Sequence, residues 1–503
     1  MTSNQSTPQH IKIAIVGGGI TGSCAAHELF HISQQSENVS VEVHLFDQGR
    51  RGVGGRSSHR IRHNQSNPNP EVNGDLNNEK NSQKALLPSE RARIMRWDHG
   101  CQFFRADTER FQTFLQEYIK KGIVQEWKGD FRSISSNENE TVGSDFFGMP
   151  SLPPFYVGSG ENGMQSVTKG ILDSLMNSQK TQGQDEEHKL KVFNGTRVAR
   201  LQLDGKETSQ KWKLLGTSGE AAFHDTPEQI VQQINQKIIL GDPQGYDGII
   251  LTDVSSSFGT WHRASAGVPE SFASRVRERV GARVPLFTVM IAFETKSAIP
   301  FDAAAFDHDV LWFASKSNSK PGMDGSGDDM MECWTLVSTP KYAMDKIEET
   351  PMQDPKTGEF IPQTDDYLQC VPGPDLKAVF LEEITSRDGI LSHDALVTVP
   401  RVVYTDAQRW GSALPAHRHL DENSITRKTI SGVPYDSCRC SLAPTKKEQC
   451  RHGDERTFLV DEELNLVQAG DMMSSFTPGF EGAALSGMDA AKYLFEKLSS
   501  VRS

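Results

Sequence analysis

The chain has no run of about 20 consecutive apolar residues, the length a helix needs to cross a hydrocarbon core, so no membrane-spanning helix is expected. The polar segment 1–10 has none of the apolar core of a signal peptide, and a cytoplasmic protein is expected. Positive charge is scarce. There are 53 Lys and Arg against 66 Asp and Glu, a net charge of −13, which speaks against a general nucleic-acid or anionic-membrane partner. The seven cysteines are scattered and odd in number. Only Cys438, Cys440 and Cys450 cluster, with His452 nearby. A structural metal site wants four well-spaced ligands, so these are read as free thiols in a loop, with a metal site as the alternative. There is no Ser-His-Asp order, no clear nucleophile and no convincing general-base pair.

What the chain does carry begins at Ile11. The apolar run Ile11–Val16 is followed by Gly17-Gly18-Gly19-Ile20-Thr21-Gly22, which reads G-x-G-x-x-G, and then by a helix start with a small-residue face at Ser23–Leu29. A second β-like run, Val41–Phe46, ends at Asp47 and Gln48. This is the pattern of a dinucleotide-binding βαβ unit. Gly17 allows the tight turn, Gly19 lets backbone approach a pyrophosphate, and Gly22 lets helix pack on strand. The helix start at Ile20 and Thr21 offers unpaired N–H groups and a positive dipole end to phosphates. Asp47 is placed to accept ribose hydroxyls. A second glycine-rich loop follows, Gly52-Val53-Gly54-Gly55-Arg56, which an NAD site does not need.

At 503 residues the chain exceeds one simple core, and two interleaved domains are expected. Residues 64–90 are rich in Asn, Ser, Pro, Glu and Gln, and read as a disordered or surface insertion. Polar insertions are also expected near 179–187 and at 342–368, and 421–453 reads as polar and irregular. Apolar residues at Phe111, Phe114, Leu115, Tyr118 and Ile119 share one face of a helix over 108–121. The runs 189–203 and 211–215 alternate like a hairpin. Residues 246–251 read as a buried parallel strand, 285–294 and 311–314 as further strands, and 374–389 as a helix. A buried strand ends at Gly470-Asp471, and a helix with Gly and Ala on one face starts near Phe480-Glu481-Gly482.

The Gly54-Gly55-Arg56 loop after the second strand resembles that of the FAD-dependent amine oxidase superfamily. Here Arg50-Arg51 makes the spacing from the acid one residue longer than usual. Asp98-His99-Gly100-Cys101-Gln102-Phe103-Phe104 is similar to the D-x-G-A-Q-Y-F segment of the renalase-like branch, with Cys101 in place of Ala. Ser319-Lys320-Pro321-Gly322 and Arg409-Trp410 resemble the same branch. The resemblance implies an α/β fold. In it, a Rossmann-type FAD-binding domain (10–60, 158–258 and 455–500) is interleaved with an α+β substrate domain (94–157 and 259–454) on a mixed or antiparallel sheet. It further implies that Val198 lends backbone to adenine, that Asp471 after Gly470 bonds the ribityl hydroxyls, and that the helix at Phe480 points its N-terminus at the flavin ring. Gln102, Phe103 and Phe104 would line the substrate cavity; the other reading is a buried strand. Trp312 is a further cavity candidate. Lys320 is either catalytic or solvated, and Trp410 either walls the cavity or plugs the core.

Three functions remain open on the sequence. The first is oxidation of aberrant dihydronicotinamide isomers of NAD(P), with O2 reduced to H2O2. The second is an amine oxidase or desaturase on the same scaffold. The third is a flavoprotein with a binding or signalling role. The lack of an evident base leans towards the first, because a dihydronicotinamide expels hydride without one. Oligomeric state is not legible.

Overall fold

The computed structural model describes residues 9–36, 38–49, 51–63, 94–135, 146–181, 189–205, 210–218, 238–257, 268–280, 283–323, 331–351, 366–385, 399–415, 456–474 and 479–500. The 64–90 segment, residues 182–187 of the 179–187 stretch, the irregular 421–453 and the cysteine cluster with His452 lie outside the described residues, while 179–181 end helix Gln165–Thr181.

Two six-stranded sheets organise the chain. The first runs Leu459–Asp461, Leu466–Gln468, Gly248–Leu251, Gln9–Val16, Val39–Phe46, Lys189–Phe193. Every neighbouring pair is parallel except the first. Its central strands are apolar on both faces because both faces are covered. On one side Ile11, Ile13, Ile15, Val41 and Val43 pack on helix Ile20–Gln34 and on Ala490, Ala491 and Leu494 of helix Phe480–Ser500. On the other, Ala14, Phe46 and Ile249 meet Trp212 and Leu214 of a small antiparallel sheet, and Phe272 and Val276 of helix Glu270–Val280. The two long helices touch closely: a Cβ on Gly487 would fall on the carbonyl of Thr21. The small-residue face seen in the sequence is therefore a helix–helix contact.

The second sheet runs Val402–Pro415, Arg283–Phe293, Glu332–Ser338, Leu311–Lys316, Ala303–Asp307, Phe131–Ser135. It is antiparallel except for its last pair, and so mixed. Phe287, Val289 and Ile291 pack on its rear face against helices Pro340–Glu349 and Pro372–Thr385. Leu286, Val337 and Phe313 belong to a front-face core that also takes in Phe103, Phe104, Ile20, Cys24 and Ala483. That shared core joins the two sheets through the starts of the first and last helices. The expected α/β architecture, a Rossmann-like unit with a second mixed sheet, is what the chain forms.

Two expectations need correction. The run 189–203 is not one hairpin arm. It breaks at Gly195, whose φ is +60°. Lys189–Phe193 joins the first sheet in parallel, and only Thr196–Asp204 pairs antiparallel with Lys211–Ser218. The 342–368 stretch is not all insertion. Thr339 caps helix Pro340–Glu349 by accepting from the Tyr342 amide, and Tyr342 is buried with its hydroxyl donating to Asp375 at 2.6 Å. The buried Tyr342 and Ala343 override the acidic composition, and residues 352–365 lie outside the described set.

Candidate cofactor site

The first glycine turn follows the strand Gln9–Val16. Gly17 has φ +108°, and a Cβ there would strike Thr252 Oγ1. That hydroxyl donates to the carbonyls of Val16 (2.9 Å) and Gly17 (3.3 Å). Thr252 thus closes the turn from the neighbouring strand. A Cβ on Gly22 would fall on the carbonyl of Gly17, so helix and turn are in direct contact. Gly19 differs: the nearest atom to a Cβ there is the Gly54 carbonyl oxygen at 3.8 Å. It is the N-cap of helix Ile20–Gln34, which has neither a side-chain cap nor an acid in its first turn. Ile20, Thr21 and Gly22 are buried in that first turn. The second glycine loop lies across from it. Gly54 N donates to Gly18 O at 3.0 Å, and a Cβ on Gly55 would have Gly19 Cα as its nearest neighbour, at 3.6 Å.

Asp47 is buried at the end of Val39–Phe46, while Gln48 beside it is exposed. The Asp47 carboxylate accepts from the amides of Gly18 and Gly49, both at 2.7 Å. Burial pushes its pKa up, and the Gly49 and Gly18 amides offset only part of that. Thr196 N donates to Asp47 O at 2.8 Å, which holds the strand carrying half-buried Val198 beside this end of the sheet.

From the far end of the chain, Gly470 and Asp471 arrive at the same place. Gly470 N donates to Ser486 Oγ at 2.9 Å, and a Cβ on Gly470 would lie 3.8 Å from Thr21 Oγ1. Arg56 forms a two-pronged ion pair with Asp471, with Nη1 2.8 Å from Oδ2, and also donates to Ala413 O at 2.8 Å. The Asp471 side chain is 2% exposed and the Arg56 side chain 38%. The open member of the pair is therefore the arginine, and Asp471 aims it. Burial pulls the Arg56 pKa down, but the charge and hydrogen bonds of Asp471 more than reverse this, and the net shift is upward. Three segments (56, 413 and 471) from both sheets meet on one cation.

The 98–104 segment runs alongside. Cys101 N donates to Arg56 O at 2.7 Å, and burial pushes the Cys101 thiol up to about 12. Gln102 is buried. Its amide donates to the carbonyls of Asp98 (2.7 Å) and Gly100 (2.8 Å), and its oxygen accepts from Ser315 Oγ at 2.8 Å and lies 3.4 Å from Lys320 Nζ. Every polar atom of Gln102 is thus used inside the protein. Lys320 is not solvated. It pairs with Asp98 at 2.9 Å, both side chains at 0% exposure, and its ammonium sits 5.2 Å from the Trp127 ring centroid. Phe103 and Phe104 are core residues, and Trp312 is buried against Phe146. Trp410 is half-buried, and its indole donates to His99 O at 2.9 Å, so it closes over the segment at Gly100. His99 is held near a pKa of about 3 by burial and by Arg60, His59 and Arg51 around it, and is neutral.

At the start of the last helix, Phe480 stacks on Phe104 at 4.2 Å between centroids. Gly482 is buried in the same turn. Glu481 is turned towards helix Glu109–Lys120. It accepts from the amides of Asp107 (2.8 Å) and Thr108 (2.9 Å) and from the Thr108 hydroxyl (2.5 Å). Burial raises its pKa against those bonds. Glu481 therefore caps a neighbouring helix.

One residue the sequence did not mark is Gln165, at the start of helix Gln165–Thr181. Its side chain holds the second glycine loop from behind. The Gly160–Gly163 turn before it was the only hint.

Residues 15–73 match the family model described as an NAD(P)-binding Rossmann-like domain. Over nearly its whole length the chain is also similar to three solved structures. A putrescine oxidase bound to putrescine has TM-score 0.45 and 12% identity, covering 97% of this chain and 100% of that one. The cyclohexylamine oxidase of Brevibacterium oxydans has TM-score 0.45 and 11% identity, covering 97% and 99%. An oxidoreductase from Methanosarcina mazei has TM-score 0.46 and 10% identity, covering 96% and 100%. Likenesses of this degree carry no inference about substrate.

Proposed function

We propose that the protein is an FAD-dependent oxidoreductase that oxidises aberrant dihydronicotinamide isomers of NAD(P), with O2 as acceptor and H2O2 as product. In this reading 10–60, 158–258 and 455–500 form the FAD-binding part, and 94–157 and 259–454 the substrate part. The observation that carries it is the Arg56–Asp471 pair, which brings the second glycine loop and the C-terminal Gly470-Asp471 to one point beside Gly19. The residues fit a dinucleotide diphosphate. Gly19 and Gly55 leave room where side chains would intrude, the helix at Ile20 has no side-chain cap, and the Arg56 side chain next to Gly55 is partly open. Gly17 and Gly22 would fix the turn, Asp47 and Gln48 the ribose end, Val198 the adenine side, and Gly54, Gly55 and Arg56 the diphosphate and ribityl chain. Asp471 would act by orienting Arg56, and Phe480 and Gly482 would bring the last helix's N-terminus to the ring. When bound, FAD supplies hydride acceptance and passes the electrons to O2.

The chain's own part is then to orient the donor and keep water away. Among the described residues beside this site, Lys320 is paired and Gln102 fully bonded, while His99 is buried and neutral. Lys320 and Gln102 are thus engaged, and His99, with its pKa held near 3, is too weak a base to take a proton from an amine, which favours a donor that releases hydride unaided. The test is anaerobic mixing of the FAD-loaded protein with 2- and 6-dihydronicotinamide isomers and, separately, with primary amines. The proposal expects the flavin band to bleach with the isomers. Bleaching by amines alone would replace it with an amine oxidase, and bleaching by neither would leave a binding role.

A further inference from the structure

We propose that Gln165 is a positioning residue that latches the second glycine loop, residues 51–57, against the first, and so governs how tightly the dinucleotide is retained. The retention half rests on the FAD reading; the latch itself does not. Gln165 is 4% exposed and packs against the loop at Gly52 and Gly54. Its Nε2 donates to Val53 O at 2.6 Å and to Arg51 O at 3.2 Å. Two carbonyls on one nitrogen fix the orientation of the amide, so Oε1 is the acceptor in the 2.6 Å contact with His59 Nδ1. His59 is then the Nδ1–H tautomer, and burial lowers its pKa below the ordinary histidine value. One buried amide thereby ties both the loop and the residue two positions beyond it.

The loop needs such a tie. Gly52, Gly54 and Gly55 have φ of +94°, +154° and +55°. Glycines there lose more backbone freedom on ordering than other residues would. Gln165 Cγ lies 3.3 Å from where a Cβ on Gly54 would stand, so the side chain also fills the space behind the loop. The latch is anchored in turn. The amide of Met164, one residue earlier, donates to Asp98 Oδ1 at 2.8 Å, and Asp98 Oδ2 holds Lys320. The Ser319-Lys320-Pro321-Gly322 turn completes the anchor, with Gly160 N donating to Pro321 O at 3.3 Å. The position of the glycine loop is thereby set partly from the second sheet.

The experiment compares hydrogen exchange of wild type, Gln165→Leu and Gln165→Glu, each with and without added FAD, alongside FAD affinity. Leu keeps the volume and removes the donor to the Val53 and Arg51 carbonyls. The expected result is exchange at least ~10-fold faster across 51–58 in Gln165→Leu without FAD, with strands Gln9–Val16 and Arg283–Phe293 unchanged, and FAD binding at least ~10-fold weaker, the equivalent of ~1.4 kcal/mol. In Gln165→Glu a protonated acid regains one donor and an ionised one faces carbonyl oxygens. Its FAD affinity should therefore fall as pH rises through the acid's pKa, while wild type stays flat. A general loss of packing would not produce that profile. Loop exchange within twofold of wild type in Gln165→Leu would overturn the latch, and faster exchange with unchanged FAD affinity would overturn its link to retention. Wild type that binds no FAD would remove the functional reading, while the exchange result would still decide the latch.

Discussion

Lys320→Met removes the ammonium from the most enclosed ion pair in the site while keeping most of the side-chain length. Asp98 and Lys320 are each 0% exposed and 2.9 Å apart. After the change, Asp98 Oδ1 keeps the Met164 amide at 2.8 Å, but Oδ2 loses its cation in a place water does not reach. Breaking a buried pair by removing one partner costs about 3–5 kcal/mol, because an uncompensated charge is left behind. Replacing both partners removes that penalty, so Asp98→Asn combined with Lys320→Met should be more stable than Lys320→Met alone, despite carrying one change more. The assay is a denaturant-melt double-mutant cycle on wild type, both single variants and the double. The expectation extends to the cofactor, because Asp98 reaches Met164 and so Gln165, and the same segment bonds Arg56 O through Cys101 N. FAD affinity should weaken in Lys320→Met and recover in part in the double variant. A single variant within ~1 kcal/mol of wild type, or a double variant less stable than the single, would refute the view that this pair carries an uncompensated charge when broken.

Other outcomes follow from the same geometry. Arg56→Lys keeps the charge but loses the planar fork that spans Asp471 and Ala413, and FAD titration should show at least ~10-fold weaker binding. Gly22→Ala puts a methyl group onto the Gly17 carbonyl, and a melt should show about 1–3 kcal/mol lost, with FAD binding weakened as the turn shifts. His99 has a folded pKa of about 3, lowered by burial and then by Arg60, His59 and Arg51, against 6.5 for the free side chain. The native state therefore binds fewer protons. The stability contributed is fully present above the unfolded pKa and is lost as pH falls through about 3. His99→Asn should flatten the melting temperature's fall across that window. Glu481→Gln weakens charge-assisted bonds to the start of helix Glu109–Lys120 and should speed amide exchange at Thr108 and Phe111.

The central strands of the first sheet were readable because their signals are local, while its edge strands Lys189–Phe193 and Leu459–Asp461 were not. Ile11–Val16, the glycine turn and Val41–Phe46 each carry their own periodicity and turn chemistry, and a parallel strand buried on both faces reads as a continuous apolar run. Strands 285–294 and 311–314 of the second sheet were readable for the same reason; Ala303–Asp307 and Phe131–Ser135 were not, and neither was the strand order, since pairing between 283–293 and 402–415 is set by packing at long range. Lys320 shows the limit most sharply. Beside Pro-Gly, a lysine reads as solvated, and nothing local says that Asp98, over 200 positions away, will bury it. Asp471 was marked as a sugar ligand, and the structure turns it towards Arg56; the pairing of two marked residues with one another lies outside any motif. Gln165 escaped notice because two of its three partners are backbone carbonyls, which have no letter in the sequence, and the third, His59, is over 100 positions away.

The central claim is that Gly19, Gly55, Arg56 and Asp471 form one FAD site, and the most direct test is the visible spectrum of the purified protein before and after FAD is offered and excess removed. The account predicts a flavin absorption band with one equivalent retained per chain, abolished in a Gly19→Val, Arg56→Ala double variant that stays folded. A wild-type protein that remains colourless with FAD in excess, or a double variant that keeps its full complement of flavin, would contradict it.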